Sequence, residues 1–463
     1  MNIQEVNSHL MKEQEDLLLL AQKMGISVNS VISPQQTIKD LALNEIELEK
    51  LQLMIRSSWQ EKSFLRTRDI FKSPPEDEKI QTNSNREIVF GYERTIQVPD
   101  FEKELHKEDL NYTGFSLIYS SAMSGYLSVI TALSKIFKKK GTTKAGFIGG
   151  YFESVFLTQD MSNNYFQVFH LADEKNINKL NFTELDALIV EPVKYNFNLD
   201  KTDLKLIIKH IGENKSKEKV LFLILDTTLL GEAFPINDVL KLCSSIENLI
   251  VINIRSCLKL HQEGFEFTNG GLISIYFDEK LKSIQDKLFT FMQSQRGILG
   301  TNLSLYEYCL IDNNFFKNSL TYTNQIHENT KHLYQNIKIP KDSIISEVIY
   351  PNKDGKTEDL HKVPFIFIKL KTKNEEDYLN FIEYLRSKLN EYKLNIPLRN
   401  SFGFRNICLQ FIKSVENNQK LVIKIAPGKL RGVKHFLLIE ILNELAKYHH
   451  LEILGDKKEL VKE

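Results

Sequence analysis

Between residues 115 and 277 the sequence sets down seven short apolar runs: "FSLIYS", "KAGFIG", "FQVFHL", "DALIVE", "KVLFLIL", "LIVINI" and "GGLISIYF". Most are separated by a stretch with helical periodicity, such as "SGYLSVITALSKIFKKK" or "KTDLKLIIKHIGENK". A strand that is apolar at every position has both pleat faces to bury. The alternation therefore predicts an α/β unit, a mostly parallel seven-stranded sheet covered by helices on both sides. Ligands of such sheets bind beyond the carboxyl ends of the strands, so the residues just after each run merit the closest reading.

Residues 1 to about 75 read as amphipathic helices, with apolar positions at three- and four-residue steps in "DLALNEIELEKLQLMIRSSW". The polar stretch "SPPEDEKIQTNSNRE" that follows reads as a linker. Residues 278 to about 338 look helical. The remainder, with strands near "VPFIFIKLK", "NICLQFIK" and "KLVIKIAPG" and helices near 374 to 392 and 429 to 448, reads as a smaller α+β unit. The expected organisation is an N-terminal helical extension and linker (1–85), a large domain (86–338) and a small C-terminal domain (339–463).

Sixty basic residues balance sixty acidic ones, so no overall basic field points to nucleic acid or a membrane surface. That leaves a small molecule or a protein as partner. Cys243, Cys257, Cys309 and Cys408 are scattered without a CxxC pair, which fits neither a zinc site nor a disulfide framework and suits a reducing cytoplasm. The N-terminus is unlike a signal peptide, and no segment is long and apolar enough to span a bilayer. No metal site is expected.

Three strand ends stand out. "SSAMSG", Ser120 to Gly125, opens a helix, and is either an ordinary serine N-cap or a seat for an anion. Asp226 ends "KVLFLIL" and is either a cap for the next turn or a buried carboxylate awaiting a cation. Lys259 follows "LIVINI" within "SCLK", where a surface loop or a site needing one amine would both serve. A lysine for a Schiff base, a carboxylate for a pyridinium nitrogen and a phosphate seat are together the parts of a pyridoxal phosphate site.

These segments occur in an order that resembles the fold-type I pyridoxal phosphate enzymes, aspartate aminotransferase-like in architecture, and most closely the Cys/Met metabolism (trans-sulfuration) family of cystathionine synthases and lyases and methionine γ-lyase. "GYERT" resembles that family's Tyr-x-Arg-Thr segment, which implies that Tyr92 and Arg94 reach the cofactor phosphate of a neighbouring subunit. "SSAMS" resembles its phosphate loop and gives that role to Ser121, Ala122 and Met123, with Ala122 where glycine is usual. "FIGGYF" resembles Tyr-Gly-Gly-Thr through Gly149 and Gly150. The resemblance makes Asp226 the partner of the pyridine nitrogen, Ser256 a phosphate ligand, Lys259 the Schiff-base lysine and Asn196 a contact of the cofactor's phenolic oxygen. "SFG" resembles a substrate loop and implies substrate contacts for Ser401, with Arg405 or Arg399 close by, and Lys424 stands where the family carries the arginine that grips the substrate carboxylate.

Two departures bear on chemistry. The family's ring-stacking tyrosine aligns with Ile148, which leaves the stacking and acid–base role to Tyr151 or Phe152. Lys424 lacks the bidentate fork of arginine. The resemblance implies a cytoplasmic homodimer or homotetramer that binds pyridoxal 5'-phosphate and carries out β- or γ-elimination or replacement on an amino acid, as a lyase or transferase. The alternative is a catalytically inactive protein of the same fold serving as an interaction module.

Overall fold

The computed structural model describes residues 1–107, 112–136, 142–162, 166–171, 174–317, 319–351, 362–414 and 420–448. The basic run "FKKKG", read as a solvated helix end, falls outside them, as do His449 and His450.

The seven apolar runs form one sheet. Its strands are β3 (Thr113–Tyr119), β4 (Thr143–Ile148), β5 (Phe166–His170), β6 (Ala187–Val190), β7 (Leu221–Asp226), β8 (Leu249–Ser256) and β9 (Gly271–Phe277), in the order β3-β9-β8-β7-β6-β4-β5; two shorter strands, β1 and β2, precede them in the chain. Strands β4 to β8 run parallel, whereas β9 pairs antiparallel with both β8 and β3. That reversal places the start of β9 and the end of β3 on the edge where the parallel strands finish.

Alternation along each strand divides the core in two. Phe147, Ile189, Ile224, Ile252 and Ile273 face one side, where α4 (Ala122–Ile136) brings Tyr126, Val129 and Leu133 and α9 (Lys282–Leu299) brings Leu288 and Met292. Ile148, Val190, Leu225, Val251 and Leu272 face the other, against α6 (Leu204–Asn214) and α7 (Ile236–Cys243). Both faces of the inner strands are buried, as uninterrupted apolar runs require, whereas the edge strand β5 leaves Gln167, Phe169 and His170 exposed.

The small domain is a four-stranded antiparallel sheet, β10 (Ile345–Ile349), β11 (Ile366–Leu370), β12 (Cys408–Lys413) and β13 (Leu421–Ala426), in the order β10-β11-β13-β12. Helices α13 (Glu375–Asn390) and α14 (Val433–Leu445) accompany it. Helix α12 (Leu320–Asn336) joins the two domains.

The extension is two long helices, α1 (Ile3–Lys23) and α2 (Ile38–Thr67), capped by the Asn2 and Thr37 side chains. It folds onto its own chain. Trp59 is buried and donates its indole N–H to the Leu310 carbonyl of the large domain at 2.9 Å, while Glu49 pairs with Lys434 of α14. The stretch read as a linker holds a two-stranded hairpin, β1 (Ile80–Gln81) and β2 (Glu87–Ile88), pinned by the buried carboxylate of Asp312, which accepts from Thr82 Oγ1 at 2.6 Å and Arg86 Nε at 3.3 Å. Two-residue strands carry too little periodicity to be read from sequence, and within this polar stretch Thr82, Ser84 and Arg86 converge on one acid while most of the rest stays exposed.

Candidate active site at the strand ends

The ends of β4, β6, β7 and β8 and the beginnings of α4 and β9 enclose a cavity of about 510 Å³, roofed by the small domain through Asn400, Phe402, Gln410 and Ile412. Ser121, Ala122, Met123, Tyr151, Asp226, Ser256 and Lys259 all line it. The sheet explains the convergence. Gly271 pairs with Ser256 on one side and Tyr119 on the other, and a Cβ on Gly271 would come 2.3 Å from the Ala122 nitrogen, so only glycine lets β9 start against the first turn of α4.

At that turn Ser121 caps α4, its hydroxyl accepting from Ser124 N at 3.1 Å. Ala122 and Met123 line the cavity at the positive end of a 15-residue helix, suited to an anion. Ser256 adds a hydroxyl, and its own N–H is held by Thr228 Oγ1 at 3.0 Å. Thr228 thereby ties the ends of β7 and β8 together.

Asp226 is hydrogen-bonded by Thr228, whose N–H donates to it at 3.0 Å, and no cation lies within ion-pair distance among the described residues. Burial pushes its carboxyl up, against those bonds to Thr228. Such a group is a ready acceptor for a protonated ring nitrogen.

Lys259 sits on the single turn α8 (Cys257–Leu260). Its amine donates to Ser401 Oγ at 2.8 Å and lies 5.6 Å from the centre of the Phe402 ring. Burial pulls its pKa below the ordinary lysine value, opposed by Glu266 and Glu153. That is the direction a lysine nucleophile needs.

Tyr151 and Phe152 both line the cavity, edge-to-face at 5.2 Å, while Ile148 lies wholly in the core. Burial pushes the Tyr151 phenol well up, so it keeps its proton at neutral pH. Its backbone is fixed by Glu191, which directly follows β6. Glu191 accepts from Gly150 N and Tyr151 N at 3.0 Å and from Tyr195 N at 2.9 Å. Burial and the nearby Asp226 raise its carboxyl to about 7. A Cβ on Gly149 would meet Glu191 Oε1 at 2.5 Å, which explains the glycine pair.

Five of the expected residues lie elsewhere. Asn196 organises its own turn, donating to Asp200 Oδ2 at 2.8 Å and accepting from Asn198 N and Asp200 N. Arg405 is fully buried in ion pairs with Glu13 and Glu263. Lys424 is buried behind Phe402 and Phe365, 6.0 and 5.7 Å from their ring centres, and its amine has no hydrogen-bond partner among the described residues. Burial lowers its pKa to about 8. Tyr92 and Arg94 stack on one another at 5.0 Å on the surface, Tyr92 being 48% exposed, and neither lines the cavity. Gln410 was not singled out, although a polar residue inside an apolar strand was the available signal. It stands in register with Lys424, and its Oε1 is likewise buried without a partner.

An anion seat, an uncompensated carboxylate and a buried amine around one cavity fit pyridoxal phosphate in chemical type. The architecture is that of the fold-type I pyridoxal phosphate enzymes. Among solved structures it is similar to a cystathionine gamma synthase from Xanthomonas oryzae pv. oryzae, determined with aminoacrylate and cysteine (14% identity over 85% of this chain and 99% of that one, TM-score 0.57). It is similar also to a methionine gamma lyase from Micromonospora echinospora (13% identity, 78% and 89%, TM-score 0.55) and to a Campylobacter jejuni protein carrying a pyridoxyl-lysine phosphate (12% identity, 72% and 82%, TM-score 0.52). Identities this low establish the fold alone. No protein-family profile matches the chain, and no curated protein does. No helix among the described residues is long and apolar enough to cross a membrane, and no cluster there would hold a metal.

Proposed function

We propose that the chain is a pyridoxal phosphate-dependent enzyme that acts on an amino acid by β- or γ-elimination or replacement. The observation that carries this reading is the meeting of Lys259, Asp226 and the first turn of α4 in one cavity. When bound, the cofactor supplies an electron sink for a carbanion at the substrate's α-carbon.

The residues divide the work. The N–H groups of Ala122 and Met123 and the hydroxyls of Ser121 and Ser256 hold the phosphate, Asp226 keeps a proton on the ring nitrogen, and Tyr151 covers the ring. Lys259 would hold the cofactor through its amine and would carry the proton at the substrate's α-carbon. Tyr151 is the available proton donor for the leaving group, since its phenol stays protonated. Ser401 sets the lysine's direction.

Tyr92, which is exposed, and Arg94, which shares a surface groove with Ile298, are assigned to a second subunit's cavity, which makes a homodimer or a tetramer the active form. The four buried, unpaired cysteines suit a cytoplasmic setting. A second reading, a binding protein without turnover, draws its support from Lys424, which stands in place of the arginine of the resemblance and does not line the cavity.

The test is a visible absorption spectrum of the purified protein with pyridoxal phosphate, beside Lys259→Ala, followed by borohydride and peptide mass analysis. A yellow band trapped on Lys259 and missing from the variant is expected, and turnover of an amino-acid panel then separates enzyme from binder. A protein that stays colourless with added cofactor overturns the reading.

A further inference from the structure

The N-terminal extension has no part in the chemistry just described, yet one of its side chains reaches towards the reactive lysine. Glu13, buried on α1, accepts from Arg405 Nε at 2.5 Å and from Lys429 Nζ at 2.9 Å. Arg405 in turn donates from Nη1 to the carbonyl and the carboxylate of Glu263, both at 3.1 Å. It is 0% exposed and locked between α1 and the loop that follows Lys259.

Two residues before Arg405 stands Gly403, at φ +84°, where a Cβ would come 1.9 Å from the Lys259 carbonyl oxygen. Its own carbonyl accepts from Tyr322 Oη at 2.7 Å. Two residues earlier still, Ser401 accepts from the Lys259 amine. A segment this short has little freedom between its ends, so the place of Ser401 is set by where Arg405 is held. The same junction is bridged again by Arg56 of α2, which donates to the carbonyls of Phe265 at 2.6 Å and Glu266 at 3.2 Å.

We propose that Glu13 is a positioning residue for Lys259, acting through Arg405 and the 401–403 loop, so that the extension is a working part of the site. The proposal rests on Lys259 being the reactive amine. An arginine that the sequence pattern offered to a substrate carboxylate is, in this chain, satisfied internally by an acid from the other end of the sequence. Glu13 and Arg405 are 392 residues apart.

The experiment follows modification of Lys259 by pyridoxal phosphate with borohydride trapping across about pH 6–10, in the full-length wild type and in Glu13→Gln, Glu13→Asp and Glu49→Gln. Glu49→Gln removes a comparable ion pair, to Lys434, that holds the same extension without touching the 401–405 loop. Glu13→Gln is expected to slow trapping at Lys259 at least about fivefold, well within what a misplacement of about 1 Å produces, and to move its pH midpoint by about half a unit or more. Glu13→Asp should fall between it and the wild type, and Glu49→Gln should match the wild type. Unchanged rate and midpoint in Glu13→Gln overturn the proposal, as does an equal shift in Glu49→Gln, which would make loosened docking the cause. If circular dichroism shows Glu13→Gln unfolded, Glu13→Asp decides in its place, and a midpoint equal to the wild type's overturns the proposal. Failure of the wild type to trap at Lys259 sinks the functional reading instead, so the two outcomes are separable.

Discussion

Gly403 lies flat on the backbone of Lys259: a Cβ at position 403 would stand 1.9 Å from the Lys259 carbonyl oxygen and 2.6 Å from its carbonyl carbon. The small domain therefore touches the main chain of the candidate reactive lysine as well as its amine. Gly403→Ala has to move one or the other, and at φ +84° it also places a Cβ in left-handed backbone. We expect a loss of about 1–3 kcal/mol in stability, read by denaturant unfolding, together with weaker cofactor capture.

Asp226 gives a prediction with opposite signs for stability and function. Its folded-state pKa is raised by burial, so its contribution to stability is fully present below the unfolded carboxylate value and is lost as pH rises through the folded one. Asp226→Asn should raise the melting temperature of the cofactor-free protein at pH 8 and leave it near the wild type's at about pH 4. The same variant should bind pyridoxal phosphate more weakly, because a neutral amide does not hold the ring proton. A wild-type melting temperature above the variant's at pH 8 would contradict the assignment of an uncompensated carboxylate.

Lys424 behaves as the cationic counterpart. With its pKa lowered to about 8 in the fold, the unfolded chain binds the proton more tightly, and the folded state is penalised wherever the amine is charged in the unfolded chain. Lys424→Met, similar in length and apolar, is expected to stabilise the cofactor-free protein by up to about 3 kcal/mol at pH 7. The gain should shrink as pH rises above about 8 and vanish above about 10.5. Urea unfolding at two pH values measures it. If the amine also receives a substrate carboxylate, the variant raises KM at the same time.

Tyr151→Phe removes only the phenolic hydroxyl at the cavity wall. If that hydroxyl is the proton donor to the leaving group, kcat should fall by about 10²-fold or more while the absorption band of the bound cofactor is unchanged. Loss of the band would instead assign the hydroxyl to cofactor binding.

Much of this architecture was legible in the sequence, because strands buried on both faces must be apolar throughout and helices beside them must be striped. All seven runs became strands of one sheet. The cavity residues at strand ends were legible for the same reason, since a polar or small residue directly after an apolar run is placed at the sheet edge by the strand before it. What depended on tertiary pairing was hidden. The burial of Arg405 by Glu13, the hairpin around Asp312 and the turn built by Asn196 are settled by partners that no local pattern announces. Gln410 was overlooked because one polar residue within "ICLQFIK" leaves the run reading as an ordinary strand.

The tie between Glu13 and Arg405 has a consequence for how the chain is made. At about 5–20 residues per second, the 392 residues between them take about 20–80 s to synthesise. Through that interval Glu13 stands without Arg405 and Lys429, and Glu49 of α2 without Lys434, waiting for a small domain that does not yet exist. A segment translated well before the small domain thus meets its last partners only when that domain emerges, and a nascent chain stalled before Arg405 should be an avid client for chaperones.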